Sequence, residues 1–257
     1  MAARARIILI LFAVGIILAL FIVPNLPRPA PTPRELFPYG EMRIAIDASN
    51  PPFAVATTDD LFGLEIDLGK ALADYIGIPP RFVNMSFDGL YDSLKADQAD
   101  LVIAMLTIDS MRSADVLYTR HYFNAGLVLV SPPDQVISKM DDLAGHSLAY
   151  EFGSNADALA RRWLRRIAPF ETRPYELPAY ALDAVRLGEA DAALVDRIAA
   201  RLYLREHQWQ AHLNTVTNNW YPIAVPINQP ARWEALDKAL KALDENGTLD
   251  QIIDRWL

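Results

Sequence analysis

The chain has 257 residues, of which 52% are hydrophobic and 22% charged, a composition that supports a folded core and differs from that of disordered chains. Its formal net charge of -8 argues against a nucleic-acid partner, because phosphate backbones are bound by clustered Lys and Arg. The absence of cysteine excludes disulfides, thiolate metal sites and a lipid-modified N-terminal cysteine. The four histidines are scattered, so we expect no metal site, and no motif indicates a cofactor.

A run of apolar residues, 7–23, follows Arg4 and Arg6 and ends at Pro24. As a helix rising about 1.5 Å per residue it would reach about 25 Å, close to the minimum for crossing a bilayer. The preceding arginines favour a cytoplasmic N-terminus, which would place the rest of the chain outside the cytoplasm. No Ala-x-Ala cleavage site follows, so we expect residues 1–23 to form an uncleaved membrane anchor, with a cleaved signal as the alternative.

The next segment, residues 24–40, is rich in proline and predicts a semi-rigid extended linker. After it, apolar patterning and turn residues predict an alternating series of strands and helices. The strands are residues 42–47, 81–85, 99–105 and 126–131, and the helices are residues 68–76 and 91–96. Such alternation implies a mostly parallel sheet flanked by helices.

A second series begins near Ser147 and repeats this architecture without repeating the sequence. It contains predicted strands at 147–151 and 190–195 and predicted helices at 157–167 and 181–187. Two further helices, residues 233–243 and 249–256, are separated at Gly247 and are expected to pack on the first unit. The sequence therefore predicts two α/β lobes: lobe one from 41–128 plus 222–257, and lobe two from 129–221, with hinge crossings near 127–131 and 218–225.

A series of short motifs resembles, in the same order, those of solute-binding family 3, the type II periplasmic proteins that deliver amino acids to ABC importers. The motifs are residues 63–73, 87–94 followed by 99–104, 106–112, 141–145, 153–155, 190–196, and 243–249 with the closing residues 255–256. The resemblance covers roughly residues 41–257. It implies a two-lobed periplasmic-binding-protein-like (type II) fold preceded by the membrane helix, a monomer, an amino-acid ligand and an ABC transporter permease as partner.

The chemistry of a free amino acid fits two charged residues of this sequence. Removing its carboxylate and ammonium from water is costly unless each meets an opposite charge. Arg112 follows an apolar strand and can grip a carboxylate through two parallel bonds, and the motif around it resembles the carboxylate-binding segment of the family. Asp196 ends an apolar strand and is expected to bind the ammonium. The alternatives are a solvated Arg112 at a helix start and Asp196 as a helix N-cap.

Four further residues are expected at the same site. Ser154 and Asn155, after Gly153, lie between a strand and a helix, where they could bind the ligand carboxylate or serve as a plain helix cap. Thr107 is expected beside Arg112, and Phe87 as an apolar wall, although either could be a core-packing residue.

Departures from the family pattern bear on the ligand. Asn50 stands where many members have an aromatic lid, and Met105 replaces a residue that is often polar or glycine. Asp47 keeps the acid of the family and could face a cationic side chain. We expect a polar or basic amino acid, with a modified amino acid left open.

Two other functions remain open on the same fold. A cyclohexadienyl dehydratase would need an acid over its substrate, for which Glu151 or Asp47 could serve, but no paired acid/base constellation is evident. A ligand-sensing module is the second alternative. We predict a binding protein and no enzyme.

Overall fold

The computed structural model describes residues 30–257, so the predicted membrane segment, 7–23, lies outside the described residues. Within the described part, no helix combines the length and the apolar character that a membrane span requires. Two five-stranded sheets and one small three-stranded sheet organise residues 30–257.

The first sheet and its helices come from both ends of the described chain. The elements are α1 (Pro33–Leu36), β1 (Met42–Ile46), β2 (Ser49–Asn50), β3 (Ala54–Ala56), β4 (Leu61–Phe62), α2 (Leu64–Ile76), β5 (Pro80–Asn84), α3 (Leu90–Lys95), β6 (Leu101–Val102) and β7 (Val116–Asn124), followed much later by β13 (Trp220–Pro226), α7 (Pro230–Glu245) and α8 (Thr248–Trp256). The strand order is β5-β1-β6-β13-β7. Strand β1 is parallel to β5 and β6, whereas β13 is antiparallel to β6 and β7.

The second sheet uses the middle of the chain. Its elements are β8 (Leu127–Ser131), β9 (Ser147–Glu151), α4 (Asn155–Trp163), β10 (Glu171–Tyr175), α5 (Pro178–Arg186), β11 (Ala192–Asp196), α6 (Arg197–Glu206) and β12 (His212–Thr215). The order is β10-β9-β11-β8-β12, with β10, β9 and β11 parallel. The fold is therefore a two-lobed α/β structure, and each lobe has its own buried apolar clusters.

Helix α7 packs on the first sheet and α8 packs on α2 and α7, so both lie on the first unit, as the sequence predicts. Leu236, Leu240 and Ile252 are buried in the same cluster as β1 and α2. Helix α2 is followed by Gly77 as its C-cap. Gly77 has a left-handed backbone (φ 83), and its N–H donates to the carbonyl of Ala73. The C-terminal pair thus completes lobe one.

The chain passes between the sheets twice, once from β7 to β8 and once from β12 to β13. The two crossing segments touch: the N–H of Ala125 donates to the carbonyl of Asn219 (2.8 Å), and the N–H of Leu127 to Oγ1 of Thr217 (2.9 Å). A Cβ atom on Gly126 would lie 1.9 Å from the Thr217 carbonyl oxygen, so only glycine fits this approach. The predicted lobe limits, after residues 128 and 221, fall inside β8 and β13.

Candidate functional site

The carboxyl ends of β1, β5 and β6 place polar residues at one edge of the first sheet, because these strands are parallel. Asp47 follows β1, and Phe87 follows β5 in a short 3-10 turn. The two residues line the same cavity of about 430 Å³, together with Asn84. The Phe87 side chain is 47% exposed there, so it forms a wall of the cavity rather than part of the core.

Asp47 is held by its neighbours. Its Oδ1 accepts hydrogen bonds from the backbone N–H (3.1 Å) and the hydroxyl (2.7 Å) of Ser49. The amide of Asn50 in turn donates to the Ser49 hydroxyl at 3.3 Å. Asn50 is thus linked to Asp47 through Ser49, and the position that could carry an aromatic lid carries a polar side chain instead.

Arg112 ends a short 3-10 turn, Ser110–Arg112, in the segment that follows β6. The guanidinium carbon lies 4.9 Å from the centre of the Tyr91 ring, a cation–π contact that orients the side chain. Within the described part of the chain, the Arg112 guanidinium forms no salt bridge. Thr107, earlier in the same segment, is exposed. Thr107 and Arg112 thus lie in one segment after β6, near the surface of lobe one.

At the edge of the second sheet, Ser154 caps helix α4. Its Oγ accepts from the N–H groups of Ala156 (3.1 Å) and Asp157 (3.3 Å), and its hydroxyl donates to the carbonyl of Glu151 (2.7 Å). The hydroxyl predicted to touch the ligand is thus already used as the helix cap, which is the alternative considered for it. Asn155 is the first residue of α4.

Asp196 ends β11, next to the end of β9 in the parallel pair. It is exposed, and although it precedes α6 its carboxylate makes no capping hydrogen bond. Desolvation by the surrounding protein raises the pKa of this carboxyl above its usual range.

The predicted residues form two groups. Asp47, Asn50, Phe87, Met105, Thr107 and Arg112 belong to the first lobe, and Ser154, Asn155 and Asp196 to the second. Of the first group, Asp47 and Phe87 share one cavity. Among residues 30–257, no hydrogen bond or ion pair joins Arg112 to Asp196.

Glu65 is a residue whose role the sequence reasoning missed. It is 1% exposed, and its Oε1 accepts from the Tyr122 hydroxyl (2.5 Å) and from the backbone N–H of Met105 (2.7 Å). Burial raises the pKa of the Glu65 carboxyl to about 7. The available signal was its position: Glu65, Leu68 and Leu72 lie three and then four residues apart, on the apolar face of α2.

Tyr221 is another buried titratable group of lobe one. It lies on β13 just after a crossing, is 9% exposed, and its pKa is raised by burial and by the charges of Asp196 and Glu65. The ring packs edge-on against Phe53 at 6.1 Å between centroids. Tyr221 thus lies buried among aromatic rings of lobe one, next to the second crossing.

Comparison with known proteins defines the class. The sequence model of the bacterial extracellular solute-binding proteins, family 3, matches residues 42–257. The ABC transporter arginine-binding protein 1 of Escherichia coli (strain K12) is 27% identical over 224 residues, covering 84% of this chain and 90% of its own. The solved structure of an ancestral cationic amino acid solute-binding protein is 25% identical, with a TM-score of 0.61 over 87% of this chain and 98% of its own.

A likeness to an enzyme is also present. The structure of an ancestral cyclohexadienyl dehydratase is 20% identical, with a TM-score of 0.74 over 90% of this chain and 98% of its own. This likeness concerns the fold alone. The fold is that of a two-lobed solute-binding protein. The chain belongs to the bacterial extracellular solute-binding proteins of family 3.

Proposed function

We propose that this protein captures an α-amino acid between its two lobes outside the cytoplasm and delivers it to an ABC importer. The observation that carries the proposal is the pair Arg112 and Asp196. They have opposite charges and end segments at the carboxyl edges of different sheets, and neither is neutralised by a neighbouring side chain among residues 30–257. A zwitterion presents the two complementary charges on one carbon, so one ligand can satisfy both.

The ligand class we favour is a basic amino acid. Asp47 lines the cavity beside Phe87 and adds a carboxylate that a cationic side chain could meet. Two of the similar proteins described above are named for arginine or for cationic amino acids. Asn50 and the absence of an aromatic at that position leave room for a long polar side chain.

The division into lobes remains part of the proposal. We assign residues 41–128 and 222–257 to lobe one and residues 129–221 to lobe two, with the hinge formed by the contacting segments 125–126 and 216–219. The exposure of Phe87, Thr107 and Asp196 supports an open cleft that closes on the ligand. We further propose that the protein is a monomer without catalytic activity, docks on a permease, and is anchored outside the cytoplasm through residues 7–23.

The proposal is tested by ligand binding. The full chain in mild detergent is screened by thermal shift against the proteinogenic amino acids, and hits are measured by calorimetry. We expect a basic amino acid to bind, with Arg112→Ala and Asp196→Asn each weakening affinity by at least about tenfold, because each leaves a desolvated ligand charge without its partner.

Two controls give the experiment its specificity. Arg112→Lys should recover affinity only in part, since an ammonium cannot form two parallel bonds. Arg173→Ala removes an arginine at an exposed ion pair of the second lobe and should leave affinity unchanged. If Arg112→Ala and Asp196→Asn both bind within about threefold of the parent, or about 0.65 kcal/mol, the assignment fails.

A further inference from the structure

The buried carboxyl of Glu65 joins three parts of lobe one that are distant in sequence. Glu65 lies in the first turn of α2. Its carboxyl accepts hydrogen bonds from the hydroxyl of Tyr122, on β7, and from the N–H of Met105, in the segment after β6. The Met105 N–H also lies 3.0 Å from the Tyr122 hydroxyl oxygen. Glu65, Tyr122 and Met105 thus form a closed hydrogen-bonded group below the site.

Met105 adopts a conformation that few residues other than glycine adopt. Its φ is 49°, in the left-handed region, which costs about 1 kcal/mol or more for a residue with a side chain. Such a conformation persists where surrounding contacts impose it. Here the contacts are the two hydrogen bonds of its N–H and the packing of its side chain against the core of lobe one.

The strained residue lies two positions before Thr107. Residues 105–107 form the direct continuation of β6 toward Arg112, so the backbone direction set at Met105 determines where Thr107 and the following turn lie. A buried acid with a purely structural role need not lie near the site. Asp100 is an example, because it is equally buried but is bound to the guanidiniums of Arg43 and Arg232 at the start of β6, the end opposite the site.

We propose that Glu65 is a positioning residue, which fixes residues 105–107 for ligand binding through its hydrogen bonds to the Tyr122 hydroxyl and the Met105 amide. The inference rests on the proposed function in that the segment it positions is the one assigned to the ligand carboxylate. Glu65 itself touches no ligand in this account. Its oxygen acts only as an acceptor for both donors, so an uncharged amide oxygen can do the same work.

The test compares Glu65→Gln with Glu65→Leu in the full chain in mild detergent. Glu65→Gln keeps an acceptor oxygen and should bind the amino acid found in the screen within about threefold of the parent. Glu65→Leu removes the acceptor and should weaken affinity by about thirtyfold or more, because Met105 loses the contact that holds its left-handed backbone. Tyr122→Phe, which keeps the bond from Met105 to Glu65, should show an intermediate loss.

The matched control is Asp100→Asn, a change at an equally buried acid of the same lobe. It should lower the melting temperature and leave the dissociation constant unchanged. Calorimetry separates the two effects, since unfolded protein lowers the binding stoichiometry, whereas misplacement of residues 105–107 lowers the affinity of the folded fraction. Equal affinity of Glu65→Leu, Glu65→Gln and the parent would overturn the inference.

A second readout does not require the ligand. Hydrogen exchange of the Met105 amide in the ligand-free protein should be faster in Glu65→Leu and unchanged in Glu65→Gln. If the parent binds no amino acid, the proposed function fails, and the exchange result alone then decides the positioning role. Unchanged exchange in Glu65→Leu contradicts it.

Discussion

Lobe one buries two carboxyl groups, those of Asp100 and Glu65, and the two have different partners. Asp100 is bound by two guanidiniums, whose charges balance its own. Glu65 meets only a hydroxyl and an amide N–H, which stabilise the anion less than a cation does. Desolvation therefore dominates at Glu65, and its pKa rises from 4.5 to about 7. The ionised form of this residue is costly in the folded protein.

The raised pKa of Glu65 predicts a pH dependence of stability. The folded state holds a proton on this carboxyl up to about pH 7, whereas the unfolded chain releases it near pH 4.5. Between these pH values the folded state binds more protons than the unfolded chain. The contribution of Glu65 to the free energy of unfolding therefore falls as the pH rises through this range. Glu65→Gln cannot ionise, so its stability relative to the parent should increase from pH 5 to pH 8, by up to about 3 kcal/mol.

The measurement is urea unfolding of parent and Glu65→Gln at both pH values, without ligand. Taking the difference between the two proteins cancels the other titrating groups. Parallel pH profiles would show that the carboxyl titrates alike in the folded and unfolded states.

At the residue scale, charge and strand ends led the sequence reasoning to Arg112 and Asp196, whose ligand-binding roles stay predictions. Both follow apolar strands, and charged residues there face the edge where α/β sheets bind ligands. The engagement of the Ser154 hydroxyl in the α4 cap was open in the sequence, because one hydroxyl suits a cap or a ligand equally. The role of Glu65 was hidden, since its partners Tyr122 and Met105 come from segments whose contacts no local pattern reveals.

At the scale of elements, periodicity located most helices and buried strands to within a few residues. The strand at 147–151 was placed as observed, and the predicted helix at 68–76 begins four residues earlier, at Leu64. Strand β7 was missed, because polar residues such as Arg120 and His121 interrupt its apolar pattern. Strands β10 and β12 were missed for a similar reason, as edge strands in which few residues are buried.

The two crossing segments predict a strict requirement for glycine at position 126. In Gly126→Ala the new Cβ would overlap the Thr217 carbonyl, and the Ala125–Asn219 and Leu127–Thr217 hydrogen bonds hold these segments together. We expect a loss of at least about 2 kcal/mol in the free energy of unfolding. The measurement is urea unfolding.

The matched control is Gly89→Ala, where the nearest atom to a new Cβ would be 3.7 Å away. It should change stability by no more than about 0.5 kcal/mol. Equal stability of Gly126→Ala and Gly89→Ala would show that the crossing segments can separate without cost.

For the whole molecule, the sequence predicted two α/β lobes, because two strand and helix series follow one another and a C-terminal pair returns. The order of the strands within each sheet could not be predicted from the sequence. In the first sheet the antiparallel strand β13 returns from the end of the chain to lie between β6 and β7, and in the second sheet β8 lies antiparallel between β11 and β12. Such long-range pairing depends on the hinge, where two segments about ninety residues apart meet through Asn124 and Asn218.

We predict that residues 7–23, which lie outside the described residues, hold the whole molecule at the membrane. The run is longer than the 7 to 15 apolar residues usual in a cleaved signal, and no Ala-x-Ala site follows it. The predicted extended linker, 24–40, is too long: Pro33–Leu36 form α1, and Leu36 and Phe37 are buried in the core of lobe one, so only the residues before α1 would space the lobes from the bilayer. The full chain should remain in the membrane fraction after a carbonate wash, whereas a version with residues 1–29 replaced by a cleavable signal peptide should be released as soluble protein. Mass spectrometry of the isolated native protein should find residues 7–23 intact, and a mature N-terminus between residues 23 and 40 would show that the segment is a cleaved signal.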